Sequence, residues 1–133
     1  MTFIDAIKAC FQNYATFRGR APRAEYWYFA LFCTVATIVL QVIWPPLASA
    51  FNLATLIPTL AVGWRRLHDA GRSGWWGLLP LASLPLWGLA IALKSDGWAY
   101  AALAATVLFA IIVLFWLCQK GSAADNRFGS ASA

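Results

Sequence analysis

YWYFALFCTVATIVLQVIWPPLASAFNLATLIPTLAVGW, residues 26–64, is a run of 39 residues without a charged side chain. A hydrocarbon layer about 30 Å thick takes roughly 20 mostly apolar helical residues to cross. The run therefore holds two crossings, divided at Trp44-Pro45-Pro46. Two further uncharged runs, residues 73–93 and 97–119, are each long enough for one more. The predicted fold is an all-α membrane protein with four transmembrane helices, at about residues 27–44, 47–64, 74–93 and 98–118.

Composition agrees. Apolar residues make up 62% of the chain and charged residues 11%, where a soluble domain carries about 25% charged residues. With 133 residues there is no room for a soluble domain beside four helices, so residues 1–133 read as a single domain. Asp5, Lys8, Arg18, Arg20, Arg23 and Glu25 precede Tyr26 with no apolar core among them, so no cleavable signal peptide is predicted and the first span stays as an anchor.

Charge placement predicts orientation. Lys8, Arg18, Arg20, Arg23, Arg65, Arg66, Arg72, Lys120 and Arg127 fall on one side of the four spans, and Lys94 on the other. Loops facing the cytoplasm carry the Lys/Arg excess, so both termini and the central loop are predicted to be cytoplasmic. The net charge of +5 reflects this asymmetry and predicts no nucleic-acid partner. Trp27, Trp44, Trp64, Trp75, Trp76, Trp98 and Trp116 lie near the span ends, where an indole keeps its ring apolar and its N–H wet. Trp87 is the exception, deeper in the third span.

Phe3, Ile4, Ile7, Cys10, Phe11, Tyr14 and Phe17 recur at three- and four-residue spacing. That stripe predicts an N-terminal amphipathic interfacial helix over residues 3–17, too polar to span, with Gly19 as its stop. Pro22 and Glu25 suit the first turn of the next helix. Residues 119–133 are small and polar and read as a flexible cytoplasmic tail, with Asn126-Arg127-Phe128 the patch suited to docking back.

Within the spans the polar residues are hydroxyls and amides such as Thr37, Gln41, Asn52, Thr55, Ser83 and Thr106, which suit helix packing. An acid or base inside the membrane, which proton-coupled carriers and voltage sensors need, is missing. Pro58, Pro80 and Pro85 are expected to kink their helices. Cys10, Cys33 and Cys118, with a single histidine, match no metal-ligand spacing. No metal, cofactor or catalytic residue is assigned.

The chemistry concentrates in two boundary segments, Phe17–Trp27 and Trp64–Trp76. The candidate site residues are Arg20, Arg23, Glu25, Arg65, Arg66, His68, Asp69 and Arg72, joined by Asn126 and Arg127 from the tail. Arginine forks suit phosphate or carboxylate, and Glu25 is predicted to pair with Arg65 or Arg66. His68 and Asp69 are neighbours in sequence and do not face each other on a helix, which counts against a catalytic pair. Every one of these residues also has a plain use as a topology marker or helix cap.

Tyr14-Ala15-Thr16-Phe17-Arg18-Gly19-Arg20 with Arg23, Glu25 and Trp27, then Arg65-Arg66-Leu67-His68-Asp69-Ala70-Gly71-Arg72-Ser73-Gly74-Trp75-Trp76, then Asn126-Arg127-Phe128-Gly129, resemble a bacterial family catalogued as domain of unknown function 805. The resemblance covers nearly the whole chain. It implies a small multi-span protein of the bacterial cytoplasmic (inner) membrane and carries no activity with it. Two function classes follow. One is a non-catalytic membrane protein whose basic rim binds an anionic lipid head, a small anion or a partner, whether a second copy or another membrane protein. The alternative is a membrane enzyme or small transporter that uses the rim as its site, for which a polar cavity from His68 past Asn52 and Thr55 is the expected sign.

Overall fold

The computed structural model describes residues 1–122 and 124–129. Helix α1 runs Phe3–Gln12 and opens on a capping box: Thr2 Oγ1 accepts from the Asp5 amide, and Asp5 accepts from the Thr2 amide. Its buried face is Ala6 and Cys10, and Phe11 meets Phe29 and Phe32 edge-on. The helix is shorter than the 3–17 stripe predicts. Asn13 ends it by donating its side-chain amide to the Ala9 carbonyl at 2.9 Å, the local competition that makes asparagine a poor helix continuer. Gly19 therefore serves a loop, at φ 87°, rather than the helix end.

Among the described residues, four helical segments are long and apolar enough to cross a membrane, and the expected span count holds. Helix α2 is Arg23–Ile43 and α3 is Pro45–Asp69. The third crossing, Gly74–Leu93, is a 3-10 helix over Gly74–Ser83 that continues as α4, Leu84–Leu93. Helix α5 is Asp96–Cys118. Helix α3 forms the middle of the bundle, with α1 and α2 on one side and the 3-10 segment and α5 on the other.

The α2–α3 turn is one extended residue, Trp44. Pro45 forces the residue before it out of the helical region, and Pro45-Pro46 fit the first turn of α3, where no N–H is needed. At the charged end both helices outrun their apolar stretches. Helix α2 starts at Arg23, four residues before the predicted span and at the first turn expected from Pro22 and Glu25, and α3 continues to Asp69, five residues past its span. The extra turns hold because their charged side chains find partners.

The three prolines act differently. Pro58 lies inside α3 and leaves the Ala54 carbonyl without its helical donor, and the Tyr14 hydroxyl donates to that carbonyl instead. Pro85 falls in the first turn of α4. Pro80 lies inside the 3-10 stretch. A 3-10 helix rises about 2.0 Å per residue against 1.5 Å for an α-helix, so this mixed crossing gains reach.

Most polar side chains in the spans are satisfied. Thr106 donates to the Ala102 carbonyl of its own helix at 2.8 Å and accepts the Trp87 indole N–H at 3.0 Å. Its hydroxyl also lies 2.7 Å from that of Ser83. The deep tryptophan is thus placed by a hydrogen bond across helices. Thr34 bonds only the Ala30 carbonyl of its own helix. Interhelical polar bonds in bilayers contribute about 0.6 kcal/mol on average and up to about 1.7. Thr106→Val should therefore lower stability by about 1–2 kcal/mol, since it removes links to both Ser83 and Trp87. Thr34→Val should change it by less than half of that. Reversible unfolding in mixed micelles, followed by tryptophan fluorescence, checks the contrast; equal losses would contradict it.

A buried charged clasp as the candidate functional site

Helix α3 stops in a Schellman motif. The Arg72 amide donates to the Leu67 carbonyl at 2.9 Å and the Gly71 amide to that of His68 at 3.0 Å, with Gly71 left-handed at φ 79°. Ser73 then caps the third crossing through the Trp75 amide. This geometry turns the last residues of α3, Arg65 to Asp69, into the bundle, and all five are buried.

Arg65 donates through Nη1 to Glu25 Oε1 at 2.7 Å and through Nε to the Thr16 carbonyl at 3.1 Å. Glu25 sits in the first turn of α2, so the ion pair joins the charged ends of α2 and α3. Cys10 of α1 packs against the same carboxylate, with Sγ 3.8 Å from Oε1. Burial, with a smaller contribution from Glu25, pushes the Cys10 thiol up to about 12, so it stays protonated at neutral pH.

Arg66 has no exposed surface. Its Nε donates to the Leu117 carbonyl at 3.0 Å, its Nη1 to the Ala21 carbonyl at 3.2 Å and to Asp69 Oδ2 at 2.5 Å, and its Nη2 to the Gln119 carbonyl. Leu117 and Gln119 lie at the C-terminal end of α5, where carbonyls lack helical donors. The guanidinium is thus a cap for a neighbouring helix. The Ala21 amide returns a bond to the Arg65 carbonyl at 3.0 Å, so this short segment is fixed to α3 on both sides.

Asp69 takes a second guanidinium. Arg20 lies 2.8 Å from Oδ1 through Nη2 and donates to it through Nε at 2.9 Å. Arg20 also donates to the carbonyls of Ser122 at 2.6 Å and Ala124 at 3.1 Å. The Ser122 amide bonds the Asp69 carbonyl at 2.9 Å. Gly121 passes so close to the Asp69 carboxylate that a Cβ there would overlap it.

His68 donates from Nδ1 to the Gly19 carbonyl at 2.8 Å. Its ring stacks on Phe128, with centroids 4.0 Å apart and planes within 3°. The Asn126 side-chain amide donates to the His68 carbonyl at 3.0 Å, and Asn126 and Gly129 exchange backbone bonds in a tight turn. Where composition alone predicts a flexible tail over 119–133, residues 119–122 and 124–129 are held by these bonds; residues 123 and 130–133 lie outside the described residues. Asn126 and Phe128 dock, and Arg127 of the same patch points outward over the Phe128 ring.

The predicted site residues thus separate into two groups. Arg20, Arg66, His68, Asp69 and Asn126 meet in one clasp, with the Glu25–Arg65 pair beside it. Arg23 and Arg72 stand at its edge: Arg23 is exposed and reaches the Cys118 carbonyl at 3.5 Å, and Arg72 lies 4.3 Å over the Trp116 ring. Sequence reading missed Thr16, Gly19, Ala21, Leu117, Gln119, Ser122 and Gly121. All but Gly121 act through backbone groups, which leave no sequence signal. Asp69 faces the two arginines, and His68 spends Nδ1 on a carbonyl. No group of three His, Cys, Asp or Glu side chains among the described residues could hold a metal ion. A cavity of about 210 Å³ beneath the clasp is lined by Tyr26, Thr59, Gly63, Leu67 and Leu117 among others, and His68 is not in its wall.

The family model described as "Protein of unknown function (DUF805)" matches residues 14–130. The chain belongs to this family. It is similar to inner membrane protein YhaH of Escherichia coli K12, 33% identical over 129 residues that cover 89% of this chain and 88% of that protein. It also resembles inner membrane protein YhaI of the same strain, 32% identical with 90% and 87% covered. The uncharacterized protein YiiR is 27% identical over 122 residues, covering 86% and 84%. No solved structure matches.

Removing one member of a buried pair leaves the other charged and unpaired, at a cost of about 3–5 kcal/mol. Glu25→Gln and Arg65→Gln should each destabilise the chain by about that much, and the double variant by clearly less than their sum. A double-mutant cycle on unfolding in detergent checks it; additive losses would mean that the pair carries no coupling.

Proposed function

We propose that the chain is a small, non-catalytic protein of the bacterial inner membrane, with both termini in the cytoplasm and a basic rim that holds anionic lipid headgroups. The observation that carries this is the division of labour among the arginines. Arg20, Arg65 and Arg66 are spent on Glu25, Asp69 and carbonyls inside the clasp. Arg18, Arg23, Lys120 and Arg127 are exposed at the same end, and Arg72 is half-exposed beside Trp116. Cations backed by tryptophans at the end of a bundle meet the headgroup layer of a bilayer. Each basic residue near an anionic surface contributes about 1 kcal/mol, so the attraction is cumulative.

The inner-membrane relatives support the location, and the nine basic residues at one end against Lys94 at the other support the orientation. The engagement of His68 by Gly19 and Phe128, and of Asp69 by Arg20 and Arg66, supports a role without chemistry.

The rim is tested by native mass spectrometry on protein extracted from phosphatidylglycerol-containing membranes. Arg23→Gln with Arg72→Gln should reduce retained phosphatidylglycerol about thirtyfold while leaving the unfolding temperature nearly unchanged, as expected from two surface charges of about 1 kcal/mol each. Unchanged retention would remove the headgroup reading. A larger loss from His68→Gln in a still-folded chain would move the assignment to the enzyme or transporter alternative. Orientation has its own test: alkaline phosphatase fused after Gly129 should be inactive, and fused after Ser95 active. The reverse pattern would overturn it.

A further inference from the structure

We propose that the groove between α2 and α3 is a self-association face, in which Asn52 of one copy pairs with Asn52 of a second. The groove holds about 440 Å³ and is lined by Cys33, Thr34, Thr37, Asn52, Thr55 and Thr59 among others. Asn52 is exposed, and its Oδ1 accepts the Thr37 hydroxyl at 2.8 Å. Its amide N–H groups have no hydrogen-bond partner among the described residues. Asn52 lies seven residues past Pro45, which at 1.5 Å per residue is about 10 Å along the axis from the end of α3. A side chain that short does not reach the headgroups from such a depth. Thr34, Thr55 and Trp87 are answered within the chain, by Ala30, Phe51 and Thr106, and Gln41, two residues from the end of α2, is long enough to reach the headgroup layer.

Hydrocarbon offers neither water nor acceptors, so an amide N–H left there must find a partner on protein. Acyl chains cannot supply one. A second copy can, because an amide is donor and acceptor at once. Oδ1 keeps one lone pair after Thr37, so two copies related by a two-fold axis exchange two N–H···O bonds, each supplying what the other lacks. Ile38, Leu53 and Leu56 flank the amide and are 59%, 73% and 50% exposed, giving the apolar packing that helix association in bilayers requires.

The test is energy transfer between donor- and acceptor-labelled full-length chains, diluted stepwise into phosphatidylcholine–phosphatidylglycerol vesicles. Wild type should give saturable transfer above random proximity. Asn52→Val should weaken association about tenfold, the size of a reciprocal pair of interhelical polar bonds, while Asn52→Gln should retain most of it. Leu56→Trp, which fills the groove and leaves the amide intact, should also weaken association, so the test survives misfolding of the valine variant. Leu108→Val, on the outer face of α5, should change nothing. Absent transfer in wild type, or wild-type association by an Asn52→Val chain with full helix content, would overturn the proposal. So would a monomer that retains a hydroxylated lipid through Asn52 in native mass spectrometry, which would make the groove a ligand site.

Discussion

One carboxylate organises the charged end of this protein. Asp69, at the last turn of α3, lies between Arg20 and Arg66, with contacts of 2.8 and 2.5 Å. Through those two guanidiniums it joins the segment before α2, the end of α5 and the tail. Burying three ions is costly, and mutual attraction alone offsets that cost poorly. What makes the arrangement tenable is that the remaining guanidinium N–H groups meet backbone carbonyls. Leu117 and Gln119 are carbonyls that α5 leaves without partners at its C-terminal end, where positive charge is favoured. The clasp therefore solves two problems at once: it satisfies Arg20 and Arg66 and it caps a helix, while Nη2 of the neighbouring Arg65 is buried without a partner among the described residues.

The same economy runs through the membrane-embedded part. Pro58 frees a carbonyl and Tyr14 takes it, so the gap in the hydrogen-bond ladder of α3 becomes the point where the segment after α1 is attached. Thr106 gathers the Ser83 hydroxyl and the Trp87 indole and binds the third crossing to α5. Gly74 packs against the Trp64 indole with no room for a Cβ, and Trp64 in turn meets Phe17 and Trp75 edge-on. Small residues and hydroxyls do the work that a hydrophobic core does in water, because apolar side chains gain little from each other when lipid is the solvent.

The charged end is also layered. Arg65 and Arg66 are deep and closed, whereas Arg23, Arg72 and Arg127 remain at the outside. Identical residue types in one short stretch thus have opposite surroundings. For the outer ones, net charge and headgroup attraction are the relevant physics; for the inner ones, desolvation and hydrogen-bond completeness are.

The class of fold is legible in the sequence. A bilayer imposes a one-dimensional requirement, a length of chain free of charge, and the uncharged runs at 26–64, 73–93 and 97–119 meet it without reference to any distant residue. The tryptophans mark the ends of those runs for the same local reason. Glu25 was legible as the partner of an arginine at the end of α3, because both sit where a helix meets the headgroups. Tertiary structure alone decided which arginine it is, that α1 ends at Gln12, that the third crossing is partly 3-10, and that the tail docks. All but the 3-10 stretch depend on acceptors that every residue carries: the carbonyls of Ala9, Thr16, Ala21, Leu117, Gln119 and Ser122. A backbone carbonyl has no letter in the sequence. Its use as a partner is created only when the chain brings an arginine, an asparagine or a tyrosine to it.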